Sequence, residues 1–421
     1  MNKNYWQKGY ANDMQKSKNL INPKKLKFVN ADYCPLISVL VLCYKNRALL
    51  NGMLKSIAMQ KYPNIQLIVS DDGSSDFYVD EVKKYIASLK ADNIREIIVR
   101  KNKENIGTVR HIREALSLAK GEYIIFTAAD DRFQNENVFT NYANLFEKNK
   151  DKVWLVASCN ILTPDYKRSI YITPTKVDKP YFESGDAKLL FSRWSRRGMA
   201  IPCCMAFRRK AFDIVGGIDL EYNYLEDWPL VLKLLRNGYA PIYISEVSAL
   251  HSVGGVTNSN ARYGIDVRKK FFDDKELVYQ KEVKPYLNLL SQEDLSCLKA
   301  YRKEINQRQY FLSIYWPMAS KIKKIMYILN PQYLFWILEI VFDKYEKYLR
   351  KPLIFLASQI CFLASALFSY SNIGIFRNMV FDWLSCIYFC FGIVLFIFGV
   401  ILIPFRFYVY KKRLLRKNLV N

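Results

Sequence analysis

Four places in the sequence hold carboxylates or a histidine in settings where they could bind a cation or move a proton. In chain order they are the run SDDGSSD at Ser70–Asp76, the pair Asp130-Asp131, the pair Glu226-Asp227, and His251. Each is also compatible with a purely structural role. Asp-Gly is common in tight turns, and Asp often caps helices. A lone histidine is more often a surface residue, or a core residue whose hydrogen bonds are satisfied. A function is indicated only if several of them converge.

The first two clusters each follow an apolar run that predicts a buried strand. Asp71 and Asp72 come after Ile65–Val69, and their short side chains can hydrogen-bond a base or a ribose with little steric cost. Asp130 and Asp131 come after the run that ends at Phe126. Adjacent carboxylates are hard oxygen ligands suited to Mg²⁺ or Mn²⁺ bridging phosphates.

The other two sites are candidates for proton transfer and for an additional ligand. Glu226 and Asp227 precede a predicted helix, Pro229–Asn237, and a carboxylate at a helix N-terminus is stabilised in its ionised form. Asp227 in this position could act as a general base or simply cap the helix. His251 is predicted to lie just after a strand, Pro241–Glu246.

Strands and helices alternate along the region that carries these residues. Helices are predicted over 49–57, over 82–89, and over 108–120 ending at Gly121, and strands over 37–44, 65–69, 97–99 and 123–126. Such alternation predicts an α/β fold with a mostly parallel sheet and helices on both faces. Ligands in these sheets bind beyond the carboxyl ends of the strands, and the first two acidic clusters are predicted to lie at such ends.

The order of the motifs resembles that of family 2 glycosyltransferases with the GT-A fold, a Rossmann-like nucleotide-diphospho-sugar transferase domain. The resemblance covers about Leu36 to Val256 and rests on ISVLVLCYKNR, DDGSSD, NIGTVR, AKGEYIIFTAADD and LEDWPLVLKLLRNG. It implies an enzyme with a nucleotide-sugar donor and a divalent metal cofactor, Mn²⁺ or Mg²⁺. An inverting transfer to an acceptor hydroxyl is expected.

The resemblance also implies roles for individual residues. Asp227 matches the catalytic base and Glu226 its acidic neighbour. Asp130 and His251 match metal ligands. The residues expected to bind the nucleotide-sugar are Asp71, Asp72, Asn105, Gly107, Arg110, Asp130 and Asp131.

One position departs from the family pattern. Relatives often read LDSDD where this chain reads TAADD, so Ala128 replaces the first carboxylate of the DxD motif. Asp130, Asp131 and His251 are then left to hold the metal with the diphosphate. A weakened dependence on metal is expected, and a catalytically degenerate protein that only binds glycan or lipid is the alternative.

The resemblance, the charge pattern and the hydropathy together divide the chain into four regions. We predict a basic N-terminal arm at 1–35, the GT-A domain at 36–258, a basic helical membrane-proximal region at 259–350, and two membrane helices with a basic tail at 351–421. The two apolar segments, about 352–370 and 384–405, approach the roughly 20 residues that cross a bilayer. A re-entrant or interfacial helix is the alternative for the shorter first segment, and two buried core helices are the alternative for the pair. Basic clusters outside both segments predict a hairpin with cytoplasmic flanks, and hence an inner (cytoplasmic) membrane protein whose catalytic domain faces the cytoplasm.

Composition bounds the partners. The net charge of +24, from 63 basic and 39 acidic residues, points to phosphate-bearing substrates or anionic membrane lipid. Nucleic acid would also suit the charge. No nucleic-acid-binding motif is recognised, however, so nucleic acid is not expected as a partner. Nine cysteines without disulfide or zinc spacing, and a polar N-terminus, favour a reducing compartment. A lipid-linked or membrane-proximal glycan acceptor in envelope polysaccharide synthesis is expected by analogy alone.

Overall fold

The computed structural model describes residues 34–253, 265–315, 408–419 and scattered positions between 318 and 339. Of these, 34–253 and 273–289 form one compact unit. Residues 265–272, 290–315 and 408–419 belong to a second. The predicted arm up to residue 33 and both predicted membrane helices lie outside the described residues.

Nine strands of the first unit form one sheet in the described part of the chain. Their order is β3-β2-β1-β4-β8-β6-β9-β5, with β7 paired to β6. The strands are β1 Ile37–Cys43, β2 Ile65–Asp71, β3 Ile94–Lys101, β4 Tyr123–Ala128, β5 Asp131–Phe133, β6 Trp154–Leu162, β7 Ser169–Thr173, β8 Met205–Arg208 and β9 Ile242–Ser252.

Strands β1 to β4 form the parallel, Rossmann-like half that the apolar runs predict. β1 pairs with β2 on one side and with β4 on the other, and β2 pairs with β3, all in parallel. The sequence ISVLVLC of β1 is buried almost throughout, as expected for a strand covered on both faces. The α/β class and this arrangement are confirmed, and they accord with the GT-A fold.

The other half of the sheet is mixed, so the predicted mostly parallel sheet is wrong in this respect. β8 runs antiparallel to both β4 and β6, and β5 runs antiparallel to β9, while β9 is parallel to β6. Apolar periodicity records which residues are buried but not the direction of the neighbouring strand.

The helices connect the strands as expected, with some shifted ends. They are α1 Arg47–Ala58, α2 Val79–Ser88, α3 Thr108–Ser117, α4 Val138–Lys148, α5 Lys179–Glu183, α6 Ala187–Trp194, α7 Lys210–Val215, α8 Asp227–Arg236, α9 Ile265–Val278, α10 Gln292–Tyr301 and α11 Arg308–Tyr310. Helix α3 ends before Gly121, so this glycine is not its cap. A Cβ at Gly121 would lie 2.5 Å from the backbone nitrogen of Ser38, so close approach to β1 explains the glycine.

The second unit is helical in its described part. Aromatic rings pack there around Phe311, whose ring stacks on Tyr333 at 4.4 Å between centroids. Residues 408–419 are helical, and Lys412 and Arg416 reach buried glutamates of the same unit. Among the described helices, none combines the length and apolar character needed to cross a bilayer.

Candidate active site

The two acidic clusters of the parallel half lie on either side of the end of β1. Cys43 is in register with Asp71 of β2, and Leu42 is in register with Ala128 of β4. Because neighbouring strands are about 4.8 Å apart, the backbones of Asp71 and Ala128 are separated by about 10 Å. The predicted position of both clusters at the carboxyl ends of parallel strands is confirmed.

The loop after β2 is organised by Asp71, which is buried. Its carboxylate accepts hydrogen bonds from the backbone nitrogen and from the hydroxyl of Ser74, both at 2.7 Å. Gly73 follows with φ +81°, and a Cβ there would lie 2.6 Å from the carbonyl carbon of Glu104. The loop after β2 therefore lies directly against the loop after β3.

Asp72 ties these two loops together. Its carboxylate accepts hydrogen bonds from the side-chain amide of Asn102 at 2.9 Å and from the backbone nitrogens of Ile106 and Gly107 at 3.0 and 3.1 Å. The side chain is only 2% exposed. Asp72 thus organises the predicted nucleotide pocket, and its direct contact with a base or ribose stays a prediction.

The remaining predicted residues of this pocket are accessible. The side chains of Asn105 and Arg110 are exposed, with Arg110 in the first turn of α3. His111, by contrast, is buried in the same helix, and its Nε2 lies 2.8 Å from the Ser70 hydroxyl. Burial lowers the pKa of His111, which makes it a neutral structural residue.

The second cluster joins Asp131 to His251 across a strand pair. Asp131 of β5 lies directly opposite His251 of β9, and its Oδ1 is 2.7 Å from the histidine Nδ1. Its Oδ2 accepts hydrogen bonds from the backbone nitrogen of Ala128 at 2.8 Å and from Thr127 Oγ1 at 3.1 Å. The prediction that His251 follows its strand is wrong, because β9 continues through it to Ser252.

Asp130 adjoins this pair. Its backbone carbonyl accepts a hydrogen bond from the Tyr166 hydroxyl at 2.6 Å. Burial, and then the charge of Asp131, raise the pKa of the Asp130 carboxyl to about 6. Burial alone lowers the pKa of His251, but the bond to Asp131 and the two carboxylate charges outweigh it and raise that pKa.

Cys203 lies beside the same pair, which no spacing in the sequence indicated. One ligand atom from each of Asp131, Cys203 and His251 lies within 4.8 Å of the other two. A hydrogen bond from Cys159 lowers the pKa of the Cys203 thiol, but burial and the charge of Asp131 outweigh that bond and raise the pKa overall. The oxygen, nitrogen and sulfur donors of this cluster fit a divalent metal ion.

The third site lies at the N-terminus of α8, which begins two residues earlier than predicted. Asp227 is the first helical residue rather than its cap, and Pro229 is the third. The Asp227 carboxylate accepts a hydrogen bond from the backbone nitrogen of Trp228 at 2.7 Å. The indole of Trp228 donates to the carbonyl of Trp194 at 2.8 Å, which anchors this end of the helix.

A residue that the sequence did not single out holds the loop before this pair. Asp274 of α9, which is 1% exposed, accepts hydrogen bonds from the backbone nitrogens of Asn223, Tyr224 and Leu225 at 2.7 to 3.3 Å. It also accepts one from the Asn223 side-chain amide at 2.9 Å. The carboxylate therefore fixes the three residues that lead into Glu226.

The two carboxyls of the third site have different proton affinities. Burial, and then the charge of Asp227, raise the pKa of Glu226 to about 8. Burial raises the pKa of Asp227 to about 6, against the opposing bond from Trp228. At neutral pH Asp227 is thus ionised and Glu226 carries a proton, which suits Asp227 to accept a proton.

Comparison with known proteins identifies the class of this domain. The family model "Glycosyl transferase family 2" matches residues 38–216, so this part of the chain is similar to a family 2 glycosyltransferase domain. The match includes both acidic clusters at the sheet edge and ends before Glu226. The resemblance predicted from the motifs is confirmed at this level.

The chain is similar to several bacterial proteins. It is 27% identical over 267 residues to a protein of Rickettsia felis described as an uncharacterized glycosyltransferase, covering 61% of this chain and 42% of that one. It is 25% identical over 269 residues to Escherichia coli WfaP, described as a UDP-Glc:alpha-D-GlcNAc-diphosphoundecaprenol beta-1,3-glucosyltransferase, covering 63% and 92%. The chain thus spans less than half of the Rickettsia protein.

Two solved structures show more distant likeness. The S. aureus TarS 1–349 complex with UDP-GlcNAc is 18% identical, with a TM-score of 0.48 over 70% of this chain and 78% of that one. The mannosyltransferase PcManGT of Pyrobaculum calidifontis, in complex with GDP-Man and Mn²⁺, is 17% identical, with a TM-score of 0.45 over 78% and 90%.

Proposed function

We propose that this protein is an inverting glycosyltransferase that transfers a sugar from a nucleotide-diphosphate sugar to a hydroxyl group of a glycan acceptor. The observation that carries the proposal is Asp227. Its carboxylate lies at a helix N-terminus, in a chain whose residues 38–216 match the family 2 glycosyltransferase model, and its pKa of about 6 keeps it ionised and basic at neutral pH.

In the proposed reaction Asp227 takes the proton of the acceptor hydroxyl. The acceptor oxygen forms a bond to the anomeric carbon on the face opposite the diphosphate. The bond from that carbon to the diphosphate oxygen breaks, and its electron pair leaves with the nucleoside diphosphate. A general base contributes about 10²–10⁴-fold to such a rate. Protonated Glu226 beside it can donate a hydrogen bond without competing for the proton.

The donor is placed by the two clusters at the sheet edge. The loops organised by Asp71 and Asp72 supply exposed Asn105 and Arg110 for the nucleotide. On the other side of the end of β1, Asp131 and His251, with Asp130 beside them, would hold a divalent metal. When bound, that ion would neutralise charge developing on the diphosphate.

We further propose that the acceptor is lipid-linked and that transfer occurs at the cytoplasmic face of a membrane. The name of WfaP specifies a diphosphoundecaprenol-linked acceptor for a protein similar to this one over 63% of this chain. The net charge of +24 suits an anionic membrane surface. The apolar segments at 352–370 and 384–405, which would anchor the chain, lie outside the described residues.

The proposal is tested with purified full-length protein, a panel of nucleotide-sugars, and release of nucleoside diphosphate as the readout. We expect one donor to be turned over, faster with a lipid-linked acceptor than with water. The variant Asp227→Asn should lose transfer while donor affinity changes little, because the base acts on the acceptor. Near-normal transfer by Asp227→Asn would remove this residue from the mechanism.

The same assay separates catalysis from binding alone. The alanine that the chain carries at position 128 favours a protein that binds donor or glycan without turning it over. Donor binding in the absence of turnover, with every donor and acceptor tried, would support that alternative. The anomeric configuration of the product, compared with that of the donor, tests inversion directly.

A further inference from the structure

The cluster of Asp131, Cys203 and His251 combines three different ligand atoms in a small volume. The atoms lie within 4.8 Å of one another. Ligands of one zinc-type ion, at about 2.0–2.3 Å from the metal, lie roughly 3.3–3.8 Å apart. A shift of about an ångström therefore closes the cluster on a single ion.

The carboxylate of the cluster, that of Asp131, is held in one orientation. Asp131 Oδ2 is held by the backbone nitrogen of Ala128 and by the hydroxyl of Thr127. Its Oδ1 is thereby directed at His251, 2.7 Å away. This separation is shorter than two ligands of one ion allow, so an ion would replace the hydrogen bond and part the two atoms by about 0.7 Å.

Cys203 is distinguished from the cysteines around it. It is 1% exposed and precedes β8 in a short turn, Pro202–Cys204. The neighbouring thiol of Cys204 donates instead to the carbonyl of Ile201 at 3.0 Å. Cys159 lies behind Cys203, with the two sulfurs 3.9 Å apart. Of these three thiols, only that of Cys203 joins the ligand cluster in the described residues.

We propose that Cys203 is a third protein ligand, and that the site prefers a thiophilic ion such as Zn²⁺ or Co²⁺ to Mg²⁺. Sulfur ligands favour these ions, whereas Mg²⁺ and Mn²⁺ suit oxygen. Cys203 would offset the carboxylate missing at Ala128. Binding releases the thiol proton to solvent, because a coordinating thiol is deprotonated by its ion. His251 Nδ1 likewise gives up the proton that it shares with Asp131, so that its lone pair can coordinate the ion.

Three protein ligands leave a fourth position open, as in catalytic zinc sites. On the proposed function, a phosphate oxygen of the donor would occupy it. This part of the inference rests on the proposed function, whereas the identity of the three ligands does not.

The inference is tested by titrating the full-length protein, kept reduced, with Co²⁺ and recording its absorption spectrum. A cobalt–thiolate bond gives a near-ultraviolet charge-transfer band. We expect the band in the wild type, its loss in Cys203→Ser, and its retention in Cys204→Ser and Cys159→Ser. Removing a residue that only hydrogen-bonds to a metal ligand already lowers metal affinity roughly 10–100-fold. Loss of a ligand should cost no less, so Cys203→Ser should weaken Co²⁺ binding at least about tenfold.

Two further variants and a metal competition test whether the band comes from this cluster. Asp131→Asn and His251→Ala should also weaken it, and Zn²⁺ should displace Co²⁺ at concentrations at which Mg²⁺ does not. The inference is overturned if the band survives in Cys203→Ser, if it disappears only in Cys159→Ser, or if wild-type protein shows none. Because the wild-type spectrum requires no variant, it tests for thiolate ligation even if Cys203→Ser folds poorly.

The readout is independent of the proposed function. Transfer supported by Mg²⁺ or Mn²⁺ without a thiolate band would leave the glycosyltransferase standing and remove Cys203 from the metal site. A thiolate band without turnover of any donor would support Cys203 as a metal ligand and contradict the proposed glycosyltransferase activity.

Discussion

Asp130 and Asp131 are adjacent and chemically alike, but the fold gives them different partners. Asp131 is buried, braces the turn after β4 with one oxygen and faces His251 with the other. Asp130 is half-buried and has a carboxyl with a raised pKa. The family resemblance favoured Asp130 as the metal ligand, and the contact with His251 favours Asp131. Both assignments stay predictions until they are measured.

Substitution of each carboxylate by its amide distinguishes them. Asp131→Asn keeps an oxygen for the backbone nitrogen of Ala128 but removes the charge that faces His251. We expect it to abolish the response of donor binding to added metal, while Asp130→Asn only weakens that response. Donor affinity measured by calorimetry with and without metal is the test. An unchanged metal response in Asp131→Asn, with a lost one in Asp130→Asn, would favour Asp130 as the ligand.

The pH dependence follows from the pair at the start of α8. Asp227 must be deprotonated to act as a base, and its pKa is about 6. We therefore expect kcat/KM to be maximal at neutral pH and to fall as the pH drops through about 6. A pH profile of initial rates measures this, and a profile flat down to about pH 5 would contradict the assignment.

Glu226 offers a matched control for that profile. Because its pKa is about 8, it is protonated at neutral pH, and glutamine resembles that form. We expect Glu226→Gln to retain activity at neutral pH and to keep the acid limb set by Asp227. A large loss in this variant at neutral pH would mean that the Glu226 charge, rather than its neutral form, is required.

At the scale of elements, the position of the proposed base depends on a helix outside the matched family domain. Asp274 of α9 accepts three backbone hydrogen bonds from the loop that leads into Glu226. We expect Asp274→Ala to lower kcat with little change in the KM for donor, because a misplacement of about 1 Å can cost about 10²-fold. Asp274→Asn keeps one acceptor oxygen, so its kcat should fall less than that of Asp274→Ala.

Steady-state kinetics in both substrates provides the measurement. Lys270→Ala, an exposed residue of the same helix, is the matched control and should behave as the wild type. A different result would point to general unfolding instead of a positioning role. In that case both Asp274 variants would lose kcat and thermal stability to the same extent, and their KM for donor would rise as well.

At the scale of the whole molecule, the described end of the chain helps to hold the second unit together. Arg416 Nη2 lies 2.7 Å from both carboxylate oxygens of Glu339, which is 2% exposed and also bonded by Arg308. Lys412 pairs with Glu304 at 2.7 Å. A truncation that removes 352–421 would therefore remove these cations along with the predicted membrane helices, so a test of membrane attachment should retain 408–419.

Removing one of these cations should destabilise the second unit. Arg416→Ala leaves the buried Glu339 with fewer partners, and breaking a buried ion pair costs about 3–5 kcal/mol. We expect faster hydrogen exchange in the second unit, measured by mass spectrometry, with the first unit unchanged. Lys417→Ala is exposed and should have little effect. Equal exchange in both variants would show that the pair contributes nothing to stability.

Much of this architecture is determined by local sequence. The apolar runs of β1, β2 and β4 predict buried strands because no polar group interrupts them for long, and Leu50, Met53, Leu54 and Ile57 at helical spacing predict the buried face of α1. Since parallel strands end at the same edge, the convergence of Asp71 with the region after β4 follows from the same pattern.

Only the tertiary structure decided which residues complete the site. His251 meets Asp131 because β5 and β9 pair across 120 positions in sequence, and Cys203 arrives from a turn before β8. Asp274 reaches the loop before Glu226 from 49 to 51 positions away. Periodicity shows that a residue is buried, whereas its partners are set by strand order and direction, which depend on pairing energies summed over the whole sheet.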